Sequence, residues 1–248
     1  MLKLLEWFYT DPEVVPEGGF WSAYGHVHFI WLGAIALVGF IAIKAFVGAT
    51  KEKQDKALKG LALWILFQEI TKNHLHLYAG TATVDLLPLH ICGISIFFSL
   101  WYAFKPGKLN GAYIYGVSLP GALAALTFPD WMDYPLYHFS SINSFSIHGE
   151  LVIFALMALI SGRLKPDIRQ VPKMAIIMYI LAIPIYFLNK VWGTNFMFIN
   201  YPSPGSPLVP LYDIFGDGYV IAAAVLLVVV WYILFLPWYL AERKQKQK

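Results

Sequence analysis

Charge is what this sequence has least of. Only 13% of its 248 residues are Asp, Glu, Lys or Arg, about half the share of a soluble domain, which excludes a surface that faces water throughout. A net charge of +3, carried by basic residues in short clusters, excludes the broad basic stripe of a nucleic-acid binder. Cysteine is nearly absent: Cys92 stands alone, so no intramolecular disulfide can form. There is no internal repeat and no low-complexity linker. No cleavable signal peptide is expected, because only a short apolar stretch follows Lys3 before Asp11, Glu13 and Glu17. Residues 1–24 read as a short outer segment lying at the membrane interface.

What is present is apolar. Hydrophobic residues make up 58% and aromatic residues 17%, with a mean hydropathy of +0.60. A helix needs about 20 mostly apolar residues to cross a hydrocarbon core, and seven stretches meet that need: 27–48, 58–79, 86–104, 111–128, 145–162, 174–193 and 218–240. The expected fold is therefore all-α, a single transmembrane domain over 1–248. Pro120 and Pro184 predict bends in the fourth and sixth helices. Alternate loops collect Lys51, Lys53, Lys56 and Lys59, then Lys105 and Lys108, then Arg163, Lys165, Arg169 and Lys173; the tail 241–248 adds Arg243, Lys244, Lys246 and Lys248. The other loops carry Glu6, Asp11, Glu13, Glu17, Asp85, Asp130, Asp133, Asp213 and Asp217. Basic residues favour the cytoplasmic side, so the N-terminus is expected outside and the C-terminus in the cytoplasm of a multi-pass plasma-membrane protein. Trp21, Trp31, Trp101, Trp131, Trp192 and Trp238 fall mostly near helix ends, as interfacial anchors do.

Polar residues inside the spans mark the candidate site. A charge at bilayer depth costs about 2.5–3.5 kcal/mol on insertion scales, so Glu69 and Lys72 should face protein or a wet cavity. Glu69, Asn73 and His76 recur on one helical face, which is either the lining of a polar pocket or a pair that stitches helices together. Cys92, Ser95 and Ser99 share a stripe of the third helix, with His90 nearly opposite Cys92. A lone buried cysteine is usually an inert small hydrophobe, and a lone helical histidine is usually a packing residue. However, Cys92, His148, His28 and the Glu69 face fall at about one depth on four helices. Cys92 lies about 9 Å below the outer start of its helix at 1.5 Å per residue. A thiol with an imidazole in reach is an activated nucleophile, suited in the outer leaflet to acyl transfer through a thioester. Glu69, His76 or Asn195 could fix the imidazole tautomer, and the Asn195 amide or a backbone N–H freed near Pro88 could stabilise an oxyanion.

Two rivals belong to other classes. His28, His74, His76, His90, His148 and Glu69 could supply a metal-dependent hydrolase, although no HExxH-like pair is present. A seven-helix sensor or transporter could use Glu69 and Lys72, but no duplicated half is evident.

The runs YGHVHF, QEITKNH, LPLHIC, SIHGE and GTNFMFINYP occur in this order from Tyr24 onward. The pattern resembles the YwaF-type bacterial integral membrane proteins, seven-helix proteins related to transmembrane protein 164 of animals. That resemblance implies a lipid acyltransferase with a cysteine nucleophile and a histidine partner on separate helices, positions that fall on Cys92 and His148. The sequence departs from the pattern at Tyr212-Asp213-Ile214-Phe215-Gly216, where a Gly-Pro-Trp-like turn is expected on the acceptor side. The reading that follows is a membrane acyltransferase or transacylase needing no cofactor. Its substrate is a phospholipid or lysophospholipid, its site faces the outer leaflet, Cys92 and His148 are catalytic, and Glu69, Asn73, His76, His28, His90 and Asn195 support them.

Overall fold

The computed structural model describes Phe8 and residues 21–132 and 134–247. Most of the segment expected at the interface, with Glu6, Asp11, Glu13 and Glu17, lies outside the described residues, as do Asp133 and Lys248. Among the described residues the chain is all-helical, without a strand. Helix α1 is His26–Val47, α2 is Lys51–Ala79 and α3 is Ile91–Phe104. Helix α4, Lys108–Tyr113, runs through a π-turn at Ile114–Ser118 into α5, Leu119–Thr127. Then come α6, Phe139–Ile160; α7, Val171–Trp192; the short α8, Val209–Phe215; and α9, Tyr219–Lys246.

Five helical runs are long and apolar enough to cross a membrane: His26–Val47, Val84–Phe104, Phe139–Ile160, Ile168–Trp192 and Val209–Lys246. The two other expected crossings are helical but differ in kind. Helix α2 opens on Lys51, Glu52, Lys53, Asp55 and Lys56 and carries Glu69 and Lys72 further on. The run 108–127 is broken where its helical pitch widens. Pro120 has no N–H to give the Gly116 carbonyl four residues back; the turn loosens into the π-segment, and Trp231 Nε1 donates to that carbonyl at 2.7 Å. Only glycine fits there, since a Cβ on Gly116 would stand 2.9 Å from the Phe235 ring and 3.0 Å from Met174. The expected bend is thus a packed junction between α5, α7 and α9. At Pro184, α7 continues as one helix.

Helix α6 is the axis of the core. Val152, Ile153, Phe154 and Ala155 are all buried; consecutive buried residues on a helix mean burial on every side. Small residues let its neighbour come close: a Cβ on Gly149 would meet Ile35 at 3.0 Å, and one on Gly39 would meet Ile153 at 3.2 Å. Glu150 accepts hydrogen bonds from Trp64 and Gln68 of α2, so it joins two helices and takes no part in the cavity described below. Trp21 and Trp131 are buried. These two tryptophans pack in the core, against the expectation that they anchor an interface.

Polar contacts gather the basic loops at one end. Arg163 pairs with Asp55 and donates to Gln54 at 3.1 Å. Asp167 meets Lys108 at 3.7 Å and Arg169 at 2.6 Å, while Arg169 reaches Glu242 of α9 at 3.3 Å. Of the acidic loop residues, Asp85 and Asp130 line the cavity described below.

Candidate functional site

The third helix begins later than its apolar pattern predicts, and the difference matters chemically. Residues 84–86 form a separate 3-10 turn, and Pro88 and the extended His90 (ψ 156°) delay the helix to Ile91. Cys92 is therefore the second helical residue, in the first turn, and not several residues down the helix. His90 is the N-cap residue, so its expected direction opposite Cys92, which assumed a helical position, does not hold. The His90 side chain caps nothing, and the N–H groups of Ile91, Cys92 and Gly93 have no hydrogen-bond partner among the described residues. These are the orphan donors of a helix start, at the positive end of the helix dipole. Gly93 makes the close turn possible: a Cβ there would stand 2.7–2.8 Å from backbone atoms of Pro88. Ser95 and Ser99 are fully buried, so the stripe below Cys92 faces the bundle as its spacing predicts.

His148 lies in the third turn of α6, because that helix starts at Phe139 and not at 145. Its Nδ1 is 2.6 Å from the Ser144 carbonyl oxygen. A carbonyl only accepts, so Nδ1 carries the proton and a neutral ring presents its Nε2 lone pair as a base. Trp131 stacks on the ring, with centroids 5.1 Å apart and planes 4° apart. The group that fixes the tautomer is thus a backbone carbonyl, in place of Glu69, His76 or Asn195.

Cys92 and His148, both partly buried, line one cavity of about 560 Å³ together with His90, Glu69 and Lys72. Lys72 Nζ binds both Glu69 carboxylate oxygens at 2.8 Å. Gly121, Ala124 and Ala125 of α5 make the room by being small, and Asp85, Asp130 and residues of the 197–208 loop complete the wall. That volume is ordinary for a small-molecule site. Of the loop residues, Ser203 and Ser206 each bury a hydroxyl that has no partner among the described residues, at a cost of about 1–3 kcal/mol each.

The remaining candidates are placed elsewhere. His28 is fully buried, with its ring between the Tyr24 N–H at 3.0 Å and the Leu126 carbonyl at 2.7 Å. Both nitrogens are occupied by backbone, so it ties α1 to α5 and has no nitrogen left for a ligand. His76 contacts Thr81 at 2.9 Å at the end of α2, and Asn73 buries an unpaired carbonyl oxygen. The Asn195 amide donates to the Tyr201 carbonyl at 2.9 Å and braces its own loop, so it is not the oxyanion donor. None of these four is in the cavity wall. Among the described residues no three His, Cys, Asp or Glu side chains are grouped to hold a metal ion.

Sequence reasoning missed the Ser144 carbonyl, the stacking of Trp131 and the two serines, for which it held no signal. The open helix start corresponds to the backbone N–H expected near Pro88: proline two residues before His90 and four before Cys92 marks a helix beginning.

Comparison with known proteins gives one match. The family model described as the TMEM164 family covers residues 23–235. No curated protein and no solved structure matches the chain.

Proposed function

The chain belongs to the TMEM164 family, and from that premise we propose that it is a multi-pass membrane acyltransferase or transacylase that moves a phospholipid acyl chain through a thioester on Cys92. The observation that carries the reading is the shared cavity. A thiol at an uncapped helix start and an imidazole whose tautomer leaves Nε2 free to accept both line it.

The steps follow from these atoms. His148 Nε2 takes the thiol proton as sulfur attacks the ester carbonyl carbon, forming the C–S bond. The carbonyl oxygen becomes an oxyanion, stabilised by the unpartnered N–H groups of the first turn of α3. Collapse breaks the ester C–O bond, and His148 returns the proton to the departing lipid alkoxide. A lysolipid hydroxyl then attacks the thioester, giving its proton to Nε2. The C–S bond breaks, and the proton returns to sulfur. Water in place of the lysolipid gives hydrolysis instead. Trp131 supports this chemistry by holding the ring plane while the proton moves.

We place the acidic loops and the cavity on the outer side of the plasma membrane, with seven crossings, the N-terminus outside and the basic end in the cytoplasm. The distribution of Lys and Arg supports this. A bilayer ester near the headgroup boundary would then reach the cavity from the outer leaflet.

The test uses the full chain in lipid nanodiscs, with intact-mass detection of acylated protein and measurement of acyl transfer. A hydroxylamine-labile acyl mass should appear on Cys92 and vanish in Cys92→Ala. Transfer should fall on the order of 10²–10⁴-fold in His148→Ala, the usual contribution of general acid–base catalysis. Undiminished transfer in Cys92→Ala would overturn the proposal.

A further inference from the structure

We propose that His90 and the 195–208 loop form a preset cradle of hydrogen-bond donors for the phosphodiester oxygens of a zwitterionic lipid headgroup. The identity of the lipid rests on the acyl-transfer reading; the cradle itself rests on geometry.

The loop is held by amides, each used at both ends. Asn189 Oδ1 accepts from the Phe196 N–H and the Thr194 hydroxyl, both at 2.9 Å. Asn189 Nδ2 donates to the Phe196 carbonyl at 3.1 Å and to Asn200 Oδ1 at 3.3 Å. Asn195 Oδ1 accepts from the Asn200 N–H at 3.2 Å, and Tyr219 of α9 donates to the Phe198 carbonyl at 3.1 Å. These bonds hold Met197 and Phe198 at φ 59° and 51°, a left-handed conformation that residues with side chains rarely adopt. Such strain persists only where the surroundings over-determine it, and it clusters at ligand sites.

The strained turn aims one N–H. Met197 N donates to His90 Nδ1 at 3.3 Å, and the imidazole is boxed by Phe196 and Phe198 at 5.3 Å each. An accepting Nδ1 puts the proton of a neutral ring on Nε2. His90 is therefore a donor without needing a positive charge, and its Nε2–H has no partner among the described residues. Ser203 is only 7% exposed, and its hydroxyl and that of Ser206 are buried without partners; both residues line the cavity with His90.

Three neutral donors lining one cavity call for a ligand made of acceptors. A phosphodiester fits, because its two free oxygens only accept. The hydroxyls of a neutral glyceride must also donate. Lys72 in the same wall supplies positive charge, shared with Glu69, and the carboxylate of Asp85 suits the amine end of the headgroup. The orphan serine hydroxyls are then a cost to the empty protein that the headgroup removes.

The experiment uses the full chain in detergent as Cys92→Ser, so that binding is read without turnover. Ligands are a short-chain lysophosphatidylcholine, a monoacylglycerol of equal chain length, and inorganic phosphate; readouts are Kd and unliganded Tm. The phospholipid should bind at least about 10-fold more tightly than the glyceride, which corresponds to one or two charge-assisted hydrogen bonds. Ser203→Ala and His90→Asn should each reduce that ratio several-fold and leave glyceride binding unchanged. His90→Gln, which returns an amide N–H near the Nε2 position, should recover part of it. Unliganded Tm of Ser203→Ala should stay level or rise, since the hydroxyl has no partner to lose. A ratio near one in Cys92→Ser, a ratio undiminished by the variants, or a lowered Tm in Ser203→Ala with the ratio intact would each overturn the cradle. Equal protection by inorganic phosphate, lost in the same variants, would overturn the lipid assignment. Headgroup selectivity that survives while the chain proves unable to transfer acyl groups would refute the proposed reaction and not the cradle.

Discussion

Gly93→Ala isolates the geometry at the start of α3 from the stability of the fold. Its new methyl would stand 2.7–2.8 Å from Pro88 Cα, C and O, where ordinary contact begins at 3.4 Å. The obstacle is backbone and cannot rotate away, so residues 88–90 or the first turn of α3 must shift by about 0.6–0.7 Å. Two effects on stability oppose each other. Overpacking costs about 1–3 kcal/mol, while replacing glycine by alanine inside a helix returns about 1 kcal/mol. The net loss, about 0–2 kcal/mol, leaves the protein folded. Activity should respond far more, because Cys92 adjoins the displaced residue and its N–H groups must meet the oxyanion. A misplacement of about 1 Å can cost about 10²-fold, so a shift of this size should reduce acyl transfer at least about 10-fold. The assay pairs transfer rate in nanodiscs with thermal unfolding in the same lipid. A near-normal rate with normal Tm would refute both the tight turn and its role in presenting Cys92.

Other predictions concern the frame. Trp231→Phe removes a 2.7 Å donor to the carbonyl that Pro120 leaves without its usual partner and should cost about 1–3 kcal/mol, lowering Tm by several degrees. Trp238→Phe loses a 3.0 Å bond to the Tyr115 hydroxyl at a more exposed position and should shift Tm less; equal shifts would contradict the junction. Burial opposes the charge of Asp167, but hydrogen bonds and charge from Arg169, aided by Lys108, outweigh it and hold the carboxyl below the usual range. A depressed folded pKa stabilises above the unfolded value of about 3.9 and is lost as pH falls through the folded value. Asp167→Asn should therefore lower Tm at pH 7, with the difference closing on acidification below about pH 4; a constant difference would sink the assignment. In a Cys92→Ala background, Lys165→Cys should resist an impermeant maleimide added to intact cells and react after permeabilisation. Labelling of intact cells would reverse the topology.

Much of the frame was legible because bilayer depth and helix rise act on sequence directly. Apolar length located the helices, and loop charge sorted their ends. The polar stripe of Cys92, Ser95 and Ser99 was legible for the same reason, since a 100° step per residue needs no partner to be known. Helix starts were read less well. Apolar residues continue across Pro88 and His90 while the backbone does not continue as helix, so the apolar pattern puts Cys92 deeper in its helix than the first turn where it stands. His28 and Asn195 were misplaced because a polar side chain in an apolar run says only that it needs a partner. Whether that partner is a ligand or a backbone carbonyl a hundred residues away is not encoded locally.

Sequence alone determined the helical composition, the segregation of basic and acidic loops, the family, and the identity of one thiol and one imidazole as the groups to watch. Tertiary structure decided what those groups can do. It bonds His148 Nδ1 to Ser144 and so directs the lone pair to Nε2, and it leaves the first N–H groups of α3 open beside Cys92. It also bends the loop after α7 until Met197 fixes the proton of His90. Each of these is a matter of direction within a hydrogen bond's length, set by the packing of several helices at once, and no single segment carries that information.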